Sequence, residues 1–150
     1  MNDAPEMNEP NEPNEPAAEP REDQEDLQFA EQLAALCKLA AELAHREHWR
    51  VTGKGSDARH RALEEFYGEL TDLTDEFVET YSGDYDVTVD VPLAENEFGE
   101  DIVKVLEQIK AWINSHRDEL DEPDDRPLQA LIDDIVNRFS RTLFKLKRLQ

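Results

Sequence analysis

The chain has 150 residues, a net charge of −21 and a single cysteine, long enough for one domain with a buried core. One cysteine excludes an intrachain disulfide framework, and the negative balance repels nucleic-acid phosphates, so DNA binding is not expected. No segment has the length and apolarity of a membrane span, and the start lacks the basic and then apolar pattern of a secretion signal.

Residues 1–26 hold "NEPNEPNEP" and "AAEPREDQED", with ten acidic residues and one arginine. Proline blocks helix continuation, the carboxylates repel, and no apolar run offsets the entropy of ordering. This stretch is expected to be a disordered acidic tail, leaving residues 27–150 as the folded domain. The domain keeps 27 acidic and 15 basic residues, a surface suited to attracting cations or to solubility.

In the first helix, expected over residues 24–51, Leu27, Phe29, Leu33, Leu36, Leu39, Ala40 and Leu43 recur at three- and four-residue steps. Cys37 falls on the apolar face of this helix as a buried, reduced thiol, which fits a cytoplasmic setting. Gly53 and Gly55 end the helix, and Ser56 or Asp57 is placed to cap the next. The second helix runs to about Thr80 with Ala62, Leu63, Phe66, Leu70, Leu73, Phe77 and Val78 inward. Residues 82–98 form a connector. Their "YDVTVDV" alternates like a strand but has no partner strand, so it is expected to be extended loop. The third helix uses Ile102, Val105, Leu106, Ile109, Trp112 and Ile113. The segment "DEPDDRP" breaks the chain before a fourth helix built on Leu128, Leu131, Ile132, Ile135, Val136, Phe139, Leu143 and Leu146.

Four amphipathic helices imply an all-α, antiparallel four-helix bundle. Short loops after the first and third helices favour antiparallel neighbours. The long connector after the second has the length to cross the bundle, as in ferritin-like folds.

His48 and His60 face each other across the glycine-marked turn, and Asp75 and Glu79 share one face of the second helix. Imidazoles with carboxylates are ligand chemistry for iron and other divalent first-row metals. Two adjacent carboxylates repel, and a cation between them relieves this. His60 and Asp75 lie about 22 Å apart along a straight helix, too far to share an ion in one chain. A two-fold axis between antiparallel second helices brings one chain's carboxylates to the other chain's histidines and creates two equivalent sites.

The "HW" at His48–Trp49, with His60 twelve residues on, Asp75 fifteen further and Glu79 four beyond, resembles the Dps branch of the ferritin-like superfamily. That resemblance implies a four-helix subunit, a homo-oligomer that is at least a dimer and at its fullest a twelve-subunit shell, and an intersubunit ferroxidase centre. It implies His48 and His60 as metal ligands from one chain and Asp75 and Glu79 from its partner, with Glu64 and Trp49 assisting. His45, one turn before His48, is a spare ligand or a structural residue. The implied activity is oxidation of Fe(II) by peroxide or oxygen and storage of Fe(III). The body, including its ending "TLFKLKRL", is also similar to small ferritin-like proteins encoded by bacteriophages. A bacterial or phage-infected cell is the corresponding setting.

The chain departs from the Dps pattern in three respects. Its tail is acidic rather than lysine-rich, its body is shorter, and no ExxH motif occurs on the second or fourth helix; "ELAH", Glu42 to His45, has no counterpart. Two further readings follow from the residues alone: a helical interaction or structural protein without redox chemistry, and a dimer held together by zinc or manganese. In these readings His48 and His60 are helix-end histidines, Asp75 and Glu79 a solvated face, and Trp49 and Trp112 core residues. His116 is an exposed helix-end residue. The cluster Arg138, Arg141, Lys145, Lys147 and Arg148 suits a helix C-terminus. No P-loop, dinucleotide fingerprint, nucleophile arrangement or zinc-finger spacing is present.

Overall fold

Pro20 is the last proline before the first helical run, and nothing after it stops the chain from winding. The computed structural model describes residues 22–149. Helix α1 spans Glu22–Arg50, so residues 22–26 are its opening turns rather than tail. Carboxylates such as Glu25 suit the partial positive charge at a helix start. The rest of the expected tail lies outside the described residues. Helices α2 (Ser56–Tyr85), α3 (Ile102–His116) and α4 (Arg126–Arg148) follow, with single 3₁₀ turns at Arg117–Glu119 and Pro123–Asp125. No strand occurs among the described residues, and "YDVTVDV" forms none. No described helix is long and apolar enough to cross a membrane.

Side-chain contacts fix the direction of each pair. Lys145 on α4 pairs with Glu65 near the start of α2, and Tyr85 at the end of α2 reaches Asp125 just before α4. Those two helices therefore run oppositely. Helices α3 and α4 do the same, with Lys147 paired to Glu107 at one end and Arg117 holding Gln129 and Asp133 at the other. Phe29, early on α1, stacks on Trp112, late on α3. The dominant helix contacts are α1 with α2, α2 with α4, α4 with α3 and α3 with α1. Helices α2 and α3 are thus diagonal.

Residues 86–101 join those diagonal helices. Helix α2, with 30 residues, is about 45 Å long, and sixteen extended residues span about 53 Å. The connector can therefore return the full length of α2. It does so along α1: the Asp90 N–H donates to the Glu31 carboxylate at 3.3 Å, Leu93 sits beside the middle of the helix and Asn96 beside its end. Asp101 then caps α3 by accepting from the N–H groups of Val103 and Lys104.

Two expected boundaries shift. Helix α2 continues through Tyr85, beyond the expected stop at Thr80, because Tyr81 is buried and packs against Tyr85, and Tyr85 hydrogen-bonds Asp125. Tertiary contact overrides the weak helix formers Ser82 and Gly83. The α2 cap is Gly55, at φ 78°, rather than Ser56 or Asp57. Two glycines with positive φ, Gly53 and Gly55, close the turn early enough for Ser56 to be helical already.

The core contains Leu33, Leu63, Phe66, Leu70, Ile109, Ile132 and Phe139, with Phe66 and Phe139 edge to face at 5.1 Å. On α1 the inward positions are mainly small: Ala30, Ala34, Ala40, Ala41 and Ala44 are buried, while Leu36 and Leu43 only flank the core.

Candidate metal centre

The α1–α2 turn sets the last turn of one helix beside the first turns of the other, and the ion pair Arg59–Glu47 at 3.5 Å spans it. This puts His48 and His60 face to face, with ring centroids 3.5 Å apart and planes 26° from parallel. The contact is reciprocal. His48 Nδ1–H donates to the His60 carbonyl at 3.0 Å, and His60 Nδ1–H donates to the His48 carbonyl at 3.1 Å. A carbonyl only accepts, so each Nδ1 carries a proton and each neutral ring keeps its lone pair on Nε2. The His48 carbonyl belongs to the last turn of α1, where carbonyls lack helical partners, so the His60 ring also caps α1. His48 is 8% exposed, and His60 is open to solvent.

His45 packs between Tyr67 and Trp49, each at 4.2 Å, and Tyr67 sets its edge against His48 at 5.6 Å. This wall braces His48. Trp49 is not core: it is 69% exposed, because it follows His48 on the outward side of the last turn. Tyr67 carries no sequence motif, but it lies seven residues after His60, two turns along the same face.

Asp75 lies elsewhere. It lines a groove of about 460 Å³ between α1, α2 and the connector, with Lys38, Glu42 and Leu93 on its walls and His45 and Tyr67 at the other end. Glu79, one turn beyond Asp75, is exposed, as is Glu64, one turn after His60. Helix α2 is unbroken across all of these positions. The structure therefore joins His48 with His60 and keeps Asp75 and Glu79 away from them within one chain. Among the described residues, no group of three or more His, Cys, Asp or Glu side chains is placed to share an ion. Cys37, also on the groove wall, is fully buried, and burial pushes its thiol up to about 12. It remains protonated near neutrality and supplies no thiolate.

Residues 54–146 match a family of unknown function, DUF5856. The chain belongs to the DUF5856 family. The DUF5856 match takes in α2, α3 and most of α4, with His60, Tyr67, Asp75 and Glu79. It begins after α1, so His45, His48 and Trp49 lie outside it. No curated protein and no solved structure matches the chain.

Proposed function

We propose that this DUF5856 protein is a ferritin-like, Dps-type iron protein that oxidises Fe(II) at a site shared by two copies and holds the Fe(III) product. The single observation that carries the reading is the reciprocal lock of His48 and His60. Metal-bound imidazoles commonly donate the second ring nitrogen to a carbonyl, which fixes tautomer and orientation. Here both rings do so, which leaves the Nε2 lone pair of each neutral ring for a ligand bond. The helix directions support the reading: opposed neighbours with a full-length crossover between the diagonal α2 and α3 are the arrangement a ferritin-like antiparallel four-helix bundle would have.

In this proposal His48 and His60 of one copy and Asp75 and Glu79 of the other hold the iron substrate. The histidines bind as neutral ligands. The carboxylates add negative charge, which favours Fe(III) over Fe(II), and their two oxygens each can bridge a pair of ions. Two Fe(II) ions supply the two electrons that reduce one hydrogen peroxide, with two protons, to two waters. Glu64, exposed one turn after His60, would draw ions toward the site. His45 and Trp49 support the site from the aromatic wall, with His45 occupied in stacking rather than ligation.

Anaerobic addition of ferrous iron followed by peroxide, with ferric absorbance as the readout, tests the function. The wild type is expected to oxidise iron rapidly, and His48→Ala and Asp75→Ala to lose at least a tenfold share of that rate. Unchanged rates in both variants would falsify the ferroxidase reading. Metal binding without turnover, with zinc or manganese sustaining a dimer, establishes a structural site instead.

A further inference from the structure

Three features along α1 and α2 are left open within one chain. Trp49 leaves most of its indole in solvent beside His48. The groove that holds Asp75 is open and large enough for an aromatic side chain. Gly68 sits in the middle of α2, where a Cβ would meet nothing within 4 Å. A glycine inside a helix weakens it, and here no intrachain neighbour requires one.

Their placement along α2 connects them. His60, Glu64, Gly68, Thr71, Asp75 and Glu79 follow one another at three- and four-residue steps, and all six are exposed. They form one uncovered stripe on one side of the helix. Gly68 lies midway between His60 and Asp75, eight residues after the one and seven before the other. A two-fold axis at Gly68 sets two α2 helices antiparallel and carries each Asp75 to the other copy's His60. The missing side chain lets the two backbones close at the crossing. The same rotation moves the hairpin end of one copy, with Trp49, over the other copy's groove, because Asp75 is one of that groove's lining residues. The walls carry both signs, with Lys38 and Arg46 beside Glu42 and Asp75, so this face opposes self-association less than the chain's overall charge does.

We propose that Gly68 is the crossing point of an α2–α2 contact between two copies of this chain, and that Trp49 of each copy anchors in the groove of the other. The inference rests on the shared-site reading for the position of its axis, and it adds the surface and the anchor that build the site.

The full chain is tested in a Trp112→Phe background, which leaves Trp49 as its one indole. Light scattering gives the mass, and acrylamide quenching gives the exposure of Trp49, each measured metal-free and after anaerobic ferrous addition. The parent is expected to be at least a dimer with a protected indole in one or both conditions. Gly68→Phe is expected to keep its helical circular dichroism, since the position is exposed and a Cβ there meets nothing within 4 Å, while falling to monomer mass with Trp49 fully quenchable. A second variant, Trp49→Ser, removes the exposed indole together with its packing on His45; it is expected to keep its helical circular dichroism and to lower the mass as well. A monomeric parent in both conditions, or a parent mass retained in both variants, overturns the contact. Iron oxidation that survives Gly68→Phe sinks the contact and leaves the ferroxidase reading standing. A protected dimer that oxidises no iron does the reverse.

Discussion

Replacing His60 with alanine removes an imidazole, its stack on His48 and the hydrogen bond that caps the end of α1. A net intramolecular hydrogen bond contributes about 1 kcal/mol, so His60→Ala is expected to lower folding stability by about 1–2 kcal/mol. A urea midpoint unchanged from wild type would show that the lock contributes nothing to the fold. The pairing of these two rings was legible in the sequence because glycines at 53 and 55 force a tight turn between two long periodic segments. The reciprocal donation to each other's carbonyls was not legible, since it depends on side-chain torsions. Nor was Tyr67: a tyrosine on a helix face has no motif, and its contact with His45 and His48 exists only once α1 and α2 are packed. Residue type alone makes Trp49 a core candidate in the readings without a metal, whereas its place one residue after the inward-facing His48 turns it outward.

At the scale of the elements, the ends of α2 and α4 are joined by a latch. The Tyr85 hydroxyl donates to the buried Asp125 carboxylate, whose other oxygen accepts from the Glu122 N–H. Burial, and then the Asp125 carboxylate, push the Tyr85 phenol above its ordinary value of 10.0. The folded chain therefore holds this proton to higher pH than the unfolded chain does. The resulting stability is complete below pH 10 and is lost as the pH rises toward the folded value. Urea unfolding at pH 8 and pH 11 is expected to show a larger alkaline loss for wild type than for Tyr85→Phe; parallel losses would exclude the latch. The helices were legible from apolar spacing, and their distal ends were not. The spacing could not show that Tyr81 and Tyr85 extend α2 past weak helix formers, or that α1 buries mainly alanines while Leu36 and Leu43 stay half-buried.

At the scale of the whole molecule, the long connector and the distance along α2 have one consequence. The connector was legible as a crossing from its length, and its path along α1 follows from Asp90, Leu93 and Asn96. The crossing leaves the α2 stripe uncovered. An unbroken helix then keeps His60 and Asp75 about 22 Å apart, so the proposed histidine–carboxylate site needs a second chain. Mixing two inactive variants measures this most directly. His48→Ala and Asp75→Ala are unfolded together, refolded together and assayed for ferrous oxidation. In a mixed dimer one site carries both lesions and the other carries neither, so random pairing restores about a quarter of the wild-type sites. Recovery to that level, with each variant inactive alone, is the expected result. A mixture as inactive as its parts would contradict a site shared between two copies.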